Sequence, residues 1–360
     1  MSAPNTTETE VTNITVLLRE HGYTLAAEQP HLLGERYLMQ AVTTVGGFKY
    51  ILKGTTTGGE PVIIKVSRDA VGRAEIEHER LCRSLINTLE FAYDVFAAPT
   101  EVAHFTTGIY LINIQAYIPQ TISFLERPLL EQFNFALAAF KAQEGARATT
   151  GEHTTLISRT FGYKRAPDYL TLLREFIVVV STQNSAAFAL PEMTTALREL
   201  EQNQITIEQY GGFLTHTDFV PHNFRIHNDH LYLLDFSAIR FGNKHEGWAR
   251  FLNFMTLYEP QLEHHLITYI NQNRAPEERR SLQLMRLFRL CELITYYTKT
   301  LDRSEGDLLS LNEVRITYWH EVLKAELDNK RVSPTITSMY KTRRDELRSE
   351  SEKIRQHGLH

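Results

Sequence analysis

Gly212-Phe213-Leu214-Thr215-His216-Thr217-Asp218-Phe219-Val220-Pro221-His222-Asn223-Phe224-Arg225-Ile226, closed by Leu233-Leu234-Asp235-Phe236-Ser237, is the stretch whose reading decides the fold. It reads as an apolar strand, a polar loop carrying an Asp and an Asn, a hairpin, and a second apolar strand ending on another Asp. The hairpin turn is His227-Asn228-Asp229-His230, whose central Asn-Asp tolerates left-handed backbone. Because a hairpin pairs its flanks, the loop before Phe224 and the Asp after Leu234 are expected side by side. Two carboxylates and one carboxamide then meet at one edge.

Such a set suits Mg²⁺, a hard cation that takes a few oxygen ligands together with substrate phosphate oxygens. In phosphoryl transfer one Asp accepts the proton of the attacking hydroxyl, while an Asn and a second Asp hold the metal. The pattern His216-x-Asp218-x-x-x-x-Asn223, with an apolar run into Asp235-Phe236-Ser237, resembles the catalytic loop of the aminoglycoside phosphotransferase and choline kinase family. Protein kinases use the same logic in H-R-D-x-x-x-x-N and D-F-G. Thr217, where those kinases carry Arg, favours the small-molecule branch. The resemblance implies that Asp218 is the base or hydroxyl-orienting residue, that Asn223 and Asp235 bind Mg²⁺, and that His216 supports the loop by hydrogen bonding. His222 reads as loop decoration. His227, His230, His264 and His265 lack partners at zinc-like spacing.

Outward from this centre, Lys65 lies in the strand Val62-Ile63-Ile64-Lys65-Val66, between a Gly-containing hairpin and a helix. A lysine among apolar neighbours is explained by snorkelling or by a phosphate-binding role with a Glu from the next helix. Among Glu75, Glu77 and Glu79, Glu77 is expected as the partner, since Leu81 and Leu85 follow at i+4 and i+8. Gly46 and Gly47, between the first two predicted strands, would let backbone N–H groups approach the ATP phosphates, although two glycines also make an ordinary hairpin. Gln115 and Tyr117 fall on the stretch expected to meet the adenine.

The expected fold is α+β: a two-lobed protein-kinase-like architecture with a small antiparallel-sheet lobe and a larger helical lobe. A short leading helix begins near Val11. Strands are predicted at 37–42, 48–52, 61–66, 102–105 and 109–114, with a helix over 72–89. Pro119 stops the strand chemistry, placing the lobe boundary at 115–120. The layout is therefore 1–114 for nucleotide binding, 115–120 as hinge, 121–338 for catalysis and acceptor binding, and 339–360 as a charged helix or tail. Helical spacing recurs at 128–143, 248–257, 261–271, 282–300 and 316–327. One departure from the family is Gly247, which falls where an Asp is common; Glu246 beside it is the available substitute.

Of 360 residues, 42% are hydrophobic and 22% charged, ordinary values for a globular chain with a sizeable core. A net charge of −5 offers no electrostatic footprint for nucleic acid. Cys82 and Cys291 stand far apart, which argues against a disulfide framework and for buried thiols in a reducing compartment. Neither a signal-peptide pattern nor an apolar run near the roughly 20 residues of a membrane span is present, so a cytoplasmic protein, monomer or homodimer, is expected.

The expected activity is ATP- and Mg²⁺-dependent phosphorylation of a small-molecule hydroxyl acceptor: an amino alcohol, a sugar or an aminoglycoside. A kinase of a protein or lipid-linked sugar, and a nucleotide-binding pseudokinase, are the alternatives. Glu246, Glu259 and Glu263 are read either as attracting a cationic acceptor or as a solvated helix face.

Overall fold

The computed structural model describes residues 6–27, 49–89 and 97–348, with side chains from Glu10 onward. Helix α1 (Thr6–Glu20) precedes a five-stranded antiparallel sheet in the order β1-β2-β3-β5-β4, formed by Tyr23–Leu25, Tyr50–Thr56, Pro61–Ser67, Tyr110–Ala116 and Glu101–Thr107. The predicted strand at 37–42 and the Gly46-Gly47 turn lie outside the described residues. Short β1, which no sequence pattern announced, pairs with β2 instead.

Strand alternation divides the sheet's chemistry. Tyr50, Leu52, Val62, Ile64, Val66, Ile112 and Ile114 form one face and bury Ile14 and Leu18 of α1. Lys65 is paired across the ladder with Ile51 on β2 and Asn113 on β5, so these three side chains share the opposite face. Helix α2 (Ala70–Thr88) crosses that face, capped by Asp69, whose carboxylate accepts from the Val71 and Gly72 N–H groups. One face of the sheet is thus a small apolar core, and the other is polar and faces the functional site.

The second lobe is mainly helical. It comprises α3 (Leu129–Gly145), α4 (Gly151–Phe161), α5 (Ala166–Ser181), α6 (Leu190–Gln202), α7 (Gln204–Gln209), α8 (His245–Tyr258), α9 (Pro260–Asn273), α10 (Pro276–Thr298), α11 (Gly306–Leu327) and α12 (Pro334–Leu347). Two small ladders interrupt it: β6 (Phe213–His216) with β9 (Ile239–Gly242), and the hairpin β7 (Phe224–His227) with β8 (His230–Leu233). Asn228 and Asp229 take φ of 48° and 60°, the paired left-handed turn expected from their chemistry. Helix α12 begins at Pro334 and is docked: buried Tyr340 stacks on Tyr318 of α11 at 4.3 Å. Cys82 and Cys291 are both buried and free. Among the described residues, no helix is long and apolar enough to cross a membrane.

Candidate active site

The loop between β6 and β7 is held from below by aromatic rings. Phe219 follows Asp218 and Phe224 follows Asn223, and both rings are buried, 4.9 Å apart. Phe224 stacks on Phe251 of α8, and Phe124 meets both edge-on. Each such pair contributes about 1 kcal/mol beyond its area burial. With the apolar neighbours drawn inward, the two polar residues are left at the loop's outer edge.

There the Asn223 amide nitrogen donates to the Asp218 backbone oxygen at 2.7 Å and to Asp218 Oδ2 at 3.0 Å. This uses the donor end of the amide and leaves its oxygen for another partner. The ladder brings Asp235 alongside, because Leu234 N–H donates to the Asn223 carbonyl at 2.8 Å. Asp235 is left-handed, with φ 54° and ψ 59°, a conformation that costs a non-glycine residue about 1–2 kcal/mol. Several bonds hold it. His216 Nε2 donates to the carbonyls of Leu234 and Asp235 at 3.0 Å each, Ala238 N–H donates to the Asp235 carbonyl, and Ser237 Oγ donates to Oδ1. His216 is fully buried, and burial lowers its pKa; the two carbonyl oxygens facing Nε2 place a proton on that nitrogen. The scaffold role expected for His216 matches this geometry.

Lys65 pairs with Glu79, Nζ lying 2.5 and 2.6 Å from the two carboxylate oxygens. Glu77 is not the partner: half exposed, it meets His104 on β4 at 3.1 Å. The error has a physical origin. The inward stripe of α2 runs through Ile76, Glu79, Cys82, Arg83 and Ile86, whereas Leu81, used to orient Glu77, is 50% exposed. Glu75 reaches Lys49, at 3.6 Å.

The same helix closes the gap between the lobes, since His78 meets Arg240 of β9 at 3.2 Å. Burial alone would raise the Asp235 pKa, but Lys49, Lys65, Ser237 and His216 overcome it and hold the carboxyl below its ordinary value. Lys65, Glu79, Asn223, Asp218 and Asp235 therefore belong to one electrostatic unit built from both lobes. Gln115 is buried at the end of β5, its amide donating to Asn113 at 2.8 Å. Tyr117 lies just beyond, with its N–H on the Pro61 carbonyl and its ring under Lys53. Gly46 and Gly47 lie outside the described residues.

Two features had escaped the sequence reading. Arg250 on α8 places Nη2 and Nε at 3.1 and 3.3 Å from Asp218 Oδ1. His222 Nε2 approaches Oδ2 at 3.6 Å. Burial would raise the Asp218 pKa, yet His222, Arg250 and His216 hold it well below the usual carboxylate range. The second feature is a buried relay under the loop. Glu246 is fully buried and accepts from Tyr169 at 2.8 Å and Lys164 at 3.1 Å, with Arg289 at 3.5 Å. Arg289 in turn donates to the Thr217 carbonyl at 2.6 Å. Four-residue spacing from Glu246 to Arg250 on one amphipathic helix was the available signal for the first feature; the relay joins positions too distant in sequence to leave one.

Glycine at 247 is required by contact: a Cβ there would lie 2.5 Å from Gln143 Oε1, 2.9 Å from the His216 carbonyl and 3.0 Å from Thr215 Oγ1. The Gly247 N–H donates to that same Thr215 hydroxyl. Glu246, one residue earlier, supplies the buried carboxylate.

Among the described residues no cluster of three or more His, Cys, Asp or Glu side chains forms a metal cage. The donor set here, one ionised carboxylate and one amide oxygen, fits a hard divalent ion that completes its shell with water and phosphate oxygens.

No protein-family model matches the chain, and no curated protein sequence matches it. Solved structures do. An apo thermostable mutant of aminoglycoside phosphotransferase APH(4)-Ia shares 14% identity at a TM-score of 0.60, over 87% of this chain and 97% of that one. A type I macrolide 2'-phosphotransferase shares 17% at 0.55, over 88% and 99%. Amicoumacin kinase hAmiN, solved with AMP-PNP, Ca²⁺ and Ami, shares 10% at 0.51, over 84% and 95%. At these identities the likeness establishes the fold, an aminoglycoside-phosphotransferase-like variant of the kinase architecture.

Proposed function

We propose that this chain, built on the fold of small-molecule phosphotransferases, transfers the γ-phosphoryl group of ATP to a hydroxyl of a small molecule. The observation carrying the reading is the unit of Lys65 with Glu79, Asn223 beside Asp218, and left-handed Asp235, joined across the lobes by the attraction of Lys65 for Asp235. Lys65, neutralised in the ground state by Glu79, is the cation for the phosphates. Asn223 and Asp235 would hold Mg²⁺, which supplies charge neutralisation on the transferring phosphoryl group. Gln115 and Tyr117 are assigned to the adenine edge, and Gly46 and Gly47 to the phosphates.

Asp218 takes the acceptor's proton. Its Oδ1 is engaged by Arg250 and its Oδ2 by Asn223, so the remaining lone pair on Oδ2 is the one left to meet the hydroxyl. A carboxylate held this far below its ordinary pKa is a weak base. That suits a loose transition state, in which orienting the nucleophile matters more than early proton removal. His216 and the Glu246–Arg289 relay keep the loop in register.

The test compares ADP formation by wild type and Asp218→Ala over sugars, amino alcohols and aminoglycosides. Loss of about 10²-fold or more in kcat, with Mg²⁺-dependent nucleotide binding retained, is expected. Equal activity of the two proteins sinks the assignment.

A further inference from the structure

Resting on the phosphotransferase reading, we infer that Lys49 is a second phosphate-binding cation, set on the terminal-phosphate side of Lys65, and that it makes the site favour a nucleoside triphosphate over a diphosphate. The placement follows from strand alternation. Tyr50 and Leu52 of β2 enter the apolar core of the sheet, so Lys49 and Ile51 project from the opposite face. Ile51 lies across the ladder from Lys65, and Lys49 stands two residues, about 7 Å, farther along it. Helix α2 crosses this face with Glu75 and Glu79 one turn apart. Glu79 grips Lys65 with both carboxylate oxygens, and Glu75 stands 3.6 Å from Lys49 Nζ. Two lysine–glutamate pairs therefore lie side by side between sheet and helix.

The pairs differ in how firmly each is closed. The Lys65 and Glu79 side chains are 10% and 3% exposed, whereas those of Lys49 and Glu75 are 15% and 36%. Among the described residues Lys49 makes no hydrogen bond, so its three N–H donors are held only by a long, part-exposed ion pair, which is worth little. Position along the sheet then separates the roles of the two lysines. Gln115, assigned to the adenine edge, lies opposite Ile63; from there β3 runs outward to Lys65, opposite Asn113, and to Ser67, opposite Leu111. Lys49 lies beyond Lys65 on this line. The phosphates must run the same way to reach Asp235, and Lys49 acts on that carboxyl more strongly than Lys65 does, while repelling Lys65 itself. Counted with Glu75, Glu79 and Asp235, the two lysines leave no net positive charge. They serve as short-range donors to phosphate oxygens, with the divalent ion proposed at Asn223 and Asp235 completing the neutralisation.

The experiment titrates AMP-PNP and ADP, each with Mg²⁺, into wild type, Lys49→Met and Lys49→Arg by calorimetry, with urea midpoints measured alongside. Lys49→Met is expected to weaken AMP-PNP by about tenfold or more and ADP by less than about threefold, at an unchanged midpoint. Lys49→Arg, which keeps the charge and the donors, should hold AMP-PNP within about threefold of wild type. A loss shared equally by the two nucleotides, as a merely structural role would give, overturns the inference. So does an AMP-PNP affinity of Lys49→Met within about twofold of wild type; either result leaves the phosphotransferase reading standing. Wild type that binds neither nucleotide in the presence of Mg²⁺ overturns that reading and this inference with it.

Discussion

The pairing of Lys65 with Glu79 can be tested against the alternative its sequence suggested. The two side chains are 10% and 3% exposed, and both carboxylate oxygens lie within 2.6 Å of Nζ. Burial depresses the Lys65 pKa and Glu79 is the largest influence opposing it, so removing the carboxylate leaves a cation with little water and only the weaker attraction of Asp235. Breaking one partner of such a buried pair costs about 3–5 kcal/mol. Glu79→Gln is therefore expected to lower unfolding free energy by about that amount in urea titrations, and to reduce kcat/KM for ATP by about 10²-fold as Lys65 loses charge and position. Glu77→Gln removes a half-exposed carboxylate facing His104, and should change stability by under about 0.5 kcal/mol, with ATP kinetics near wild type. In the double variant Lys65→Met/Glu79→Leu, stability should recover most of the loss, since apolar replacement of a buried pair is often neutral, while activity stays low. If Glu77→Gln raises KM for ATP more than Glu79→Gln does, the assignment of the pair is refuted.

Three other outcomes follow from the same geometry. Burial and the adjacent Lys244 lower the His245 pKa to about 4 despite Glu278, so the unfolded chain takes up its proton first as pH falls from 6.5. Stability should decline by up to about 3 kcal/mol between pH 6.5 and 4, and His245→Asn should flatten that stretch of a urea-midpoint profile. Gly247→Ala forces a Cβ against the His216 carbonyl, a backbone atom, and should destabilise by about 2 kcal/mol and slow turnover without altering AMP-PNP affinity beyond a few-fold. Asn223→Ala removes the amide proposed as a metal donor while keeping Asp235, so a Mg²⁺ titration of activity should shift to about tenfold higher concentration; an unshifted titration counts against Asn223 as a ligand.

Much of this site could be read from the chain because its parts are local. His216, Asp218 and Asn223 share one loop, and Asp235 follows through a hairpin whose Asn228-Asp229 turn closes in only one register. Lys65 was legible because a lysine in an apolar strand, between a Gly-containing hairpin and a helix, stands out from its neighbours. Glu79 was misassigned because Glu75 and Glu79 share one helix face with Glu77 opposite, and Leu81, which lines up with Glu77, is an exposed leucine that mimics an inward one. Arg250 and Arg289 approach the loop from helices that begin 27 and 58 residues beyond Asp218, at His245 and Pro276, so nothing local marks them.

The sequence by itself determined the two-lobed α+β class, the pattern of the Asp218–Asn223 loop and the strand lysine, since each depends on side-chain periodicity, turn chemistry or spacing within a few dozen residues. Tertiary packing alone decided which glutamate meets Lys65, that Glu246 and Glu263 are consumed by internal cations, and that an arginine stands against Asp218. Charge placed across a packed interface depends on distances between elements, which the order of residues along the chain does not contain.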